Sequence, residues 1–261
     1  MLLFGQVLGE GPPIVVLPWL GVDHAVMASA CEPALSRQEH WSRLYLDLPG
    51  TGKSPLVGTS SDDVLDAVRQ TIDATLARGE RFALVGCSYG GYLAAGLARR
   101  IPERVIGLLA VCAGVRARLQ DRDLSGLSPP TPQQGWLGDV PRELHDFCTH
   151  EIGHQTATVA NRVARALALG GPSNERYLAD LRNRFRLADE DRGGAYPGPA
   201  TLMAGRKDRV AGYRDQFAAL ARYPRGTYLA HADAGHFLPF EQPTFFASVT
   251  RSWLATCVSA S

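Results

Sequence analysis

Residues 82–91 read Phe-Ala-Leu-Val-Gly-Cys-Ser-Tyr-Gly-Gly, and this stretch carries the strongest structural signal in the chain. Its first four residues form a short apolar run, which predicts a buried β-strand, and the small and apolar residues of 89–100 predict a helix directly after it. Between them lies the pattern Gly-x-Ser-x-Gly around Ser88. Glycines two positions before and after the serine relieve the crowding of a sharp strand-to-helix turn. The stretch therefore predicts a strained turn that projects the Ser88 hydroxyl above the carboxyl end of a sheet.

The chain on either side of this turn alternates short apolar runs with helical patterns. The apolar runs predict strands at 14–17, 43–46, 82–85, 105–111, 200–203 and 227–230. Helical spacing of apolar residues predicts helices at 62–77, 89–100, 211–222 and 243–257. Strands that alternate with helices are typical of a mostly parallel central sheet flanked by helices. The predicted class is therefore α/β.

One long region departs from this alternation. Residues 115–197 contain no convincing strand, and apolar periodicity over 142–170 and 174–187 predicts helices instead. We therefore expect a helical cap at 115–197, inserted after the strand at about 105–111. The core would then consist of residues 1–114 and 198–261.

Composition narrows the functional classes. The formal net charge is +1 without a basic stripe, which argues against a nucleic-acid partner. No apolar run approaches the length of a membrane helix. The five cysteines are odd in number and lack metal-site spacing, and Cys87 and Cys112 lie in strand-like runs where a thiol acts as a small hydrophobe. We expect a cytoplasmic protein in a reducing compartment, without metal and without membrane contact.

Two further residues follow predicted strands and complete a chemical pattern with Ser88. A serine hydroxyl is a weak nucleophile until a base, held by a carboxylate, takes its proton. Asp208 comes just after the strand at 200–203, and His236 follows the strand at 227–230. The carboxyl ends of parallel strands share one edge of the sheet. The sequence thus predicts a Ser88–His236–Asp208 triad, with Asp233 and Glu241 interpreted as structural residues.

The motifs now define a family resemblance. Residues 47–54, Asp-Leu-Pro-Gly-Thr-Gly-Lys-Ser, look like the D-x-P-G-x-G-x-S turn of the α/β-hydrolase superfamily, and the loops around Asp208 and His236 are similar to its acid and histidine loops. The resemblance implies the α/β-hydrolase fold and a serine hydrolase, without a cofactor, that cleaves an ester, lactone or related acyl bond of a small molecule. Because the turn carries Ser88, the aspartate-nucleophile branches are disfavoured. A monomer and a homodimer both remain open.

The loop after the predicted strand at 14–17 departs from the family pattern. Pro18-Trp19 stands where the family usually has His-Gly, in the loop that supplies one oxyanion donor. Main-chain N–H groups serve as such donors, so the resemblance assigns the oxyanion hole to the backbone of Tyr89 and Leu20, with Trp19 as the alternative to Leu20. The residues proposed to line a substrate pocket, each of which could instead be loop or core packing, are Trp19, Asp23, His24, Trp136, Phe147 and Phe237.

Several alternatives stay open from the sequence. The same triad could serve C–C bond hydrolysis or a lyase or cyclase step, and the same fold could serve a small-molecule receptor. His150-Glu151-Ile152-Gly153-His154 spells H-E-x-x-H, which a zinc hydrolase would place on one helical face. Gly153 weakens a helix there, so a polar helix face is the preferred interpretation. Residues 50–54 do not form a phosphate-binding loop, because Asp47 stands where that motif needs glycine.

Overall fold

A computed structural model describes residues 1–38, 40–191 and 194–258. Residues 192 and 193 of the predicted cap, and 259–261 of the predicted core, lie outside the described residues. The strands within the described residues are β1 (Gly5–Leu8), β2 (Pro13–Leu17), β3 (Ser42–Leu46), β4 (Phe82–Cys87), β5 (Val105–Val111), β6 (Pro199–Gly205) and β7 (Arg225–His231).

These strands form one sheet in the order β1-β3-β2-β4-β5-β6-β7. Within this sheet β1 pairs with β3 in antiparallel direction, and the pairings from β3 to β7 are parallel. Parallel neighbours need crossover connections, which the helices between the strands supply. The carboxyl ends of β4, β6 and β7 therefore lie at one edge, where Ser88, Asp208 and His236 follow them.

Helices cover both faces of this sheet. The described helices are α1 (His24–Leu35), α2 (Ser61–Thr75), α3 (Tyr89–Arg100), α4 (His145–Glu151), α5 (Ala157–Leu167), α6 (Glu175–Asn183), α7 (Arg214–Ala219), α8 (Leu238–Glu241) and α9 (Pro243–Val258). Alternate residues of β2 point to opposite faces: Ile14 and Val16 join the apolar cluster of α1 and α9, whereas Val15 and Leu17 join that of α2 and α3. The predicted fold class, a mostly parallel sheet flanked by helices, is confirmed.

Some local predictions differ from the structure. The edge strand β1 and the helix α1 were not predicted. The periodic stretch at 142–170 is not one helix, because α4 ends at Glu151 and α5 begins at Ala157. The predicted helix at 211–222 shortens to α7 followed by a turn of 3₁₀ helix.

The region between β5 and β6 contains α4, α5 and α6 and no strand among its described residues, and it packs on the sheet's own apolar clusters. Cys148 and Val163 belong to the cluster of α1 and α9, and Tyr177 and Leu181 to that of α2 and α3. The division of the chain into a core and a cap at 115–197 stays a prediction.

The helices of the described residues are all too short or too polar to cross a membrane. The five cysteines are buried and form no disulfide among the described residues, as a small-hydrophobe role for Cys87 and Cys112 requires. The cytoplasmic location stays a prediction.

Candidate active site

The turn between β4 and α3 is as sharp as the Gly-x-Ser-x-Gly pattern predicts. Ser88 has φ 53° and ψ −118°, in a region that side chains other than glycine seldom occupy. A Cβ on Gly86 would lie 2.4 Å from the Gly90 carbonyl oxygen, and a Cβ on Gly90 would lie 2.3 Å from that of Leu17. Both glycines are therefore required by close backbone approach. The Ser88 amide donates to Val111 O at 3.0 Å, which ties the turn to β5.

The structure brings the three predicted site residues together. Ser88 Oγ lies 2.8 Å from His236 Nε2, and His236 Nδ1 lies 3.1 and 3.0 Å from the two carboxylate oxygens of Asp208. Asp208 is fully buried and His236 is 3% exposed, so bulk water does not compete for these hydrogen bonds. A hydroxyl, an imidazole and a carboxylate in this order can pass a proton from serine to histidine and hold the resulting cation.

Electrostatics in this chain favour a basic imidazole. Burial of His236 lowers its pKa, but the charge of Asp208 and its hydrogen bond raise it by more, so that the pKa lies above its ordinary value. Asp208 is itself fixed, because its Oδ1 accepts the backbone N–H groups of Val210 and Ala211, each at 2.9 Å. The carboxylate is thus held facing His236.

Two charged side chains, the half-buried Arg122 and the buried Glu241, support these loops, and the sequence had not assigned either to the site. Arg122 donates to Val210 O at 2.7 Å and to Ala117 O at 2.9 Å, and so joins the start of the helical region to the Asp208 loop. Glu241 is 4% exposed and accepts backbone N–H groups on both sides of His236. Burial raises the pKa of Glu241 to about 7, while its N–H donors oppose that rise. A carboxylate in the apolar run 237–241 was the available signal, because a buried charge needs partners.

The two predicted oxyanion donors are backbone N–H groups, one at the start of α3 and one in the loop after β2. Tyr89 is the first residue of α3, and its N–H has no acceptor among the described residues. Leu20 follows β2 in the loop packed beside the turn, and its N–H likewise has no acceptor in the described part of the chain. Unpaired N–H groups of this kind are what an oxyanion requires. Their role stays a prediction.

The predicted pocket aromatics gather beside His236 and largely contact each other. Trp19 stacks on Phe237 with ring centroids 4.8 Å apart, and Phe147 meets Phe237 edge-on at 5.3 Å. The indole N–H of Trp19 donates to His236 O at 3.4 Å. Trp136 belongs to the apolar cluster of α1 and α9. These contacts show that the aromatic side chains pack against each other near His236. Their contact with substrate stays a prediction.

Asp23 and His24 have structural partners instead of a free position at the pocket mouth. Asp23 caps α1, and its Oδ2 accepts Gly171 N–H at 2.7 Å. His24 Nδ1 lies 2.8 Å from Asp47 Oδ1, which also accepts the His24 N–H. These contacts give Asp23 and His24 structural roles, and their contact with substrate stays a prediction.

Two groups of residues in the described part of the chain have the residue types of a metal site. Within the described part of the chain, Asp23, His24 and Asp47 are close enough to share an ion, but their oxygens already accept the N–H groups given above and that of Lys53. The H-E-x-x-H segment lacks the helical geometry that the zinc alternative requires, because α4 ends at Glu151. Its histidines have different partners: His150 faces Glu151, and His154 Nδ1 lies 3.0 Å from Gln242 Nε2. The preferred interpretation as one polar helix face is wrong for the same reason.

The sequence that builds this fold and site matches the model of a protein family. A model of the alpha/beta hydrolase family matches residues 14–249, and the chain belongs to that family. The predicted resemblance is thereby confirmed.

Curated relatives and solved structures are consistent with this membership. The chain is similar to the pimeloyl-(acyl-carrier protein) methyl ester esterase of Aeromonas hydrophila subsp. hydrophila, with 30% identity over 183 residues, which are 69% of this chain and 63% of that esterase. The match thus spans less than two thirds of that relative. An alpha/beta superfamily hydrolase from Oenococcus oeni has a TM-score of 0.88 at 24% identity, covering 97% of this chain and 95% of its own. The enol-lactonase from Burkholderia xenovorans has a TM-score of 0.73 at 19% identity, covering 97% and 96%. Both structures share the fold.

Proposed function

We propose that this chain is a serine hydrolase that cleaves a carboxylic ester or lactone of a small molecule through an acyl-enzyme. The observation that carries the proposal is the hydrogen-bonded series from Ser88 Oγ through His236 to the buried Asp208. The strained serine lies at the N-terminus of α3, where the helix dipole favours developing negative charge. The names of the curated relatives, methyl ester esterases, support an ester as the scissile bond.

The first half-reaction forms the acyl-enzyme. His236 Nε2 takes the hydroxyl proton as Ser88 Oγ bonds to the carbonyl carbon, and the carbonyl π electrons move to its oxygen. The N–H groups of Tyr89 and Leu20 would hold that oxyanion. Collapse of the intermediate breaks the bond to the alcohol, which leaves with the proton from His236. Asp208 stabilises the imidazolium in between.

The second half-reaction regenerates the serine. His236 takes a proton from water, whose oxygen bonds to the acyl carbon, and a second oxyanion forms in the same place. Its collapse breaks the bond to Ser88 Oγ, which recovers its proton from His236 and releases the acid. The proposed cycle consumes only ester and water, so it needs no cofactor.

Turnover of p-nitrophenyl esters of increasing acyl length tests the proposal. Ser88→Ala should lower kcat by about 10⁶-fold while the circular dichroism spectrum is unchanged. Ser29→Ala is the matched control, because the Ser29 hydroxyl donates to Val26 O within α1 and has no other hydrogen bond in the part of the chain that the structure describes. Turnover by Ser88→Ala equal to that of the control would refute the proposed mechanism.

The same experiment separates the two alternatives that share the fold. A receptor would release less than one equivalent of nitrophenol per chain, and a large shift in melting temperature would accompany ligand binding. A lyase or C–C hydrolase would release none from simple esters. Multiple turnover that requires Ser88 supports ester hydrolysis against both.

A further inference from the structure

Glu241 lies on α8, five positions after His236, and its buried carboxylate joins two separate chain segments. Oε2 accepts the N–H groups of Gly153 at 2.9 Å and His154 at 2.7 Å, and that of Gly235 at 2.8 Å. Oε1 accepts the N–H of Phe237 at 3.1 Å. One carboxylate therefore accepts hydrogen bonds from four backbone N–H groups. Two of them follow α4, and the other two flank His236, one on each side.

The two segments touch at the backbone as well as through Glu241. The N–H of His236 donates to Glu151 O at 2.9 Å. A Cβ on Gly235 would lie 2.3 Å from Gly153 N, and a Cβ on Gly153 would lie 2.5 Å from Gly235 N. The H-E-x-x-H segment is thus a backbone support packed against the histidine loop, and its glycine is needed for that approach.

The consequence for His236 follows from where these bonds lie. Its own amide and both neighbouring amides are held, by Glu151 O on one side and by the Glu241 carboxylate on the other. The ring beyond them must place Nε2 2.8 Å from Ser88 Oγ while Nδ1 faces Asp208. A displacement of about 1 Å in such an arrangement costs about 100-fold in rate.

We propose that Glu241 is a positioning residue, whose carboxylate holds the His236 loop against residues 151–154 so that the imidazole meets Ser88 and Asp208 in reactive geometry. The proposal rests on the proposed serine mechanism and adds a residue that contacts neither substrate nor the reacting atoms. Loss of its acceptors should lower the rate of the chemical step and leave substrate affinity nearly unchanged.

Two substitutions of Glu241 remove different numbers of hydrogen-bond acceptors. Glu241→Gln keeps one oxygen for the three donors at the Oε2 position, but turns an NH₂ group towards Phe237 N–H. Glu241→Ala removes all four acceptors. We expect kcat to fall about tenfold in the first and about 100-fold in the second, with KM within about threefold of wild type. The rate at which a fluorophosphonate labels Ser88 should fall in the same order, since labelling needs His236 but no substrate pocket.

Glu190→Gln is the matched control. Glu190 is also buried, at 5% exposure, and accepts hydrogen bonds from Tyr92 Oη at 2.7 Å and Ala117 N at 3.1 Å, but it contacts neither the His236 loop nor residues 151–154. We expect its kcat and labelling rate to stay within about twofold of wild type, even where its melting temperature falls.

The outcomes divide cleanly. Folded Glu241 variants with wild-type kcat and labelling rate overturn the proposal, and so does an equal loss of activity in Glu190→Gln. If neither Glu241 variant folds, the residue serves global stability rather than placement of His236, and the proposal is rejected. Ser88→Ala measured in parallel separates the two levels: its retained turnover would refute the serine mechanism, whereas its inactivity beside fully active Glu241 variants refutes this inference alone.

Discussion

Replacement of Asp208 by asparagine should abolish nearly all activity while leaving the fold intact. Asparagine has the same shape, but one carboxylate oxygen becomes an NH₂ donor. In the structure Oδ1 accepts the N–H groups of Val210 and Ala211, each at 2.9 Å, and both oxygens lie within 3.1 Å of His236 Nδ1. The amide oxygen must therefore take the Oδ1 position, because the opposite orientation would leave two buried N–H groups unpaired at about 1–3 kcal/mol each.

That orientation turns the NH₂ group towards His236. It donates to Nδ1, so the imidazole proton moves to Nε2, and this tautomer cannot accept the proton of Ser88. A wrong tautomer of this kind costs about 10⁴-fold in kcat in serine proteases, or about 5.4 kcal/mol of transition-state stabilisation.

The assay is kcat for p-nitrophenyl butyrate, with the urea midpoint of unfolding measured on the same samples. Asp215→Asn is the control, because Asp215 Oδ2 accepts the N–H of Asp123 and, within the described residues, forms no hydrogen bond with Asp208 or His236. Its kcat should stay within about threefold of wild type. A kcat for Asp208→Asn within tenfold of wild type would refute the assigned role of the carboxylate.

Further predictions concern pH, packing and thiols. The pKa of His236 is raised above 6.5, and only the neutral ring can accept the serine proton. We therefore expect kcat/KM to fall as the pH is lowered through a midpoint above 6.5. A pH-independent rate between about pH 5 and 8 would contradict this prediction. Gly153→Ala places a Cβ 2.5 Å from Gly235 N and should lower the free energy of unfolding by about 1–3 kcal/mol, as read by urea denaturation. Gly194→Ala, whose Cβ meets nothing within 4 Å among the described residues, should change it by less than about 0.5 kcal/mol, and equal losses would count against the close-approach argument. The buried cysteines should react with Ellman's reagent only after denaturation, and rapid labelling of native protein would be inconsistent with their burial.

Local sequence patterns were sufficient to predict the strands in the buried middle of the sheet. β4 and β5 are apolar along their whole length because helices cover both faces, and such runs are visible in one sequence. β1 was not predicted, because it is an edge strand whose residues are mostly exposed and form no apolar run. The helix α1 was not predicted, because it contains Pro33 and because its packing against both α9 and α5 leaves it without a clear polar face.

The residues of the site also fall into those that local sequence patterns predicted and those that they did not. Ser88, Asp208 and His236 each follow a predicted strand, and the parallel sheet alone brings them to one edge. Glu241 and Arg122 act through backbone groups that are distant in the chain, such as Gly153 and Val210, and no local pattern encodes such a contact. The break at 152–156 depends on the same contact, because Gly153 leaves the helix to approach Gly235.

Intact-mass spectrometry after treatment with a fluorophosphonate probe tests the central claim most directly. The wild-type chain should gain one probe mass, and peptide mapping should place it on Ser88. Ser88→Ala should gain none, and Asp208→Asn should label far more slowly than wild type. Labelling of Ser88→Ala at the wild-type rate, or attachment of the probe to another residue, would contradict the assignment of Ser88 as the nucleophile.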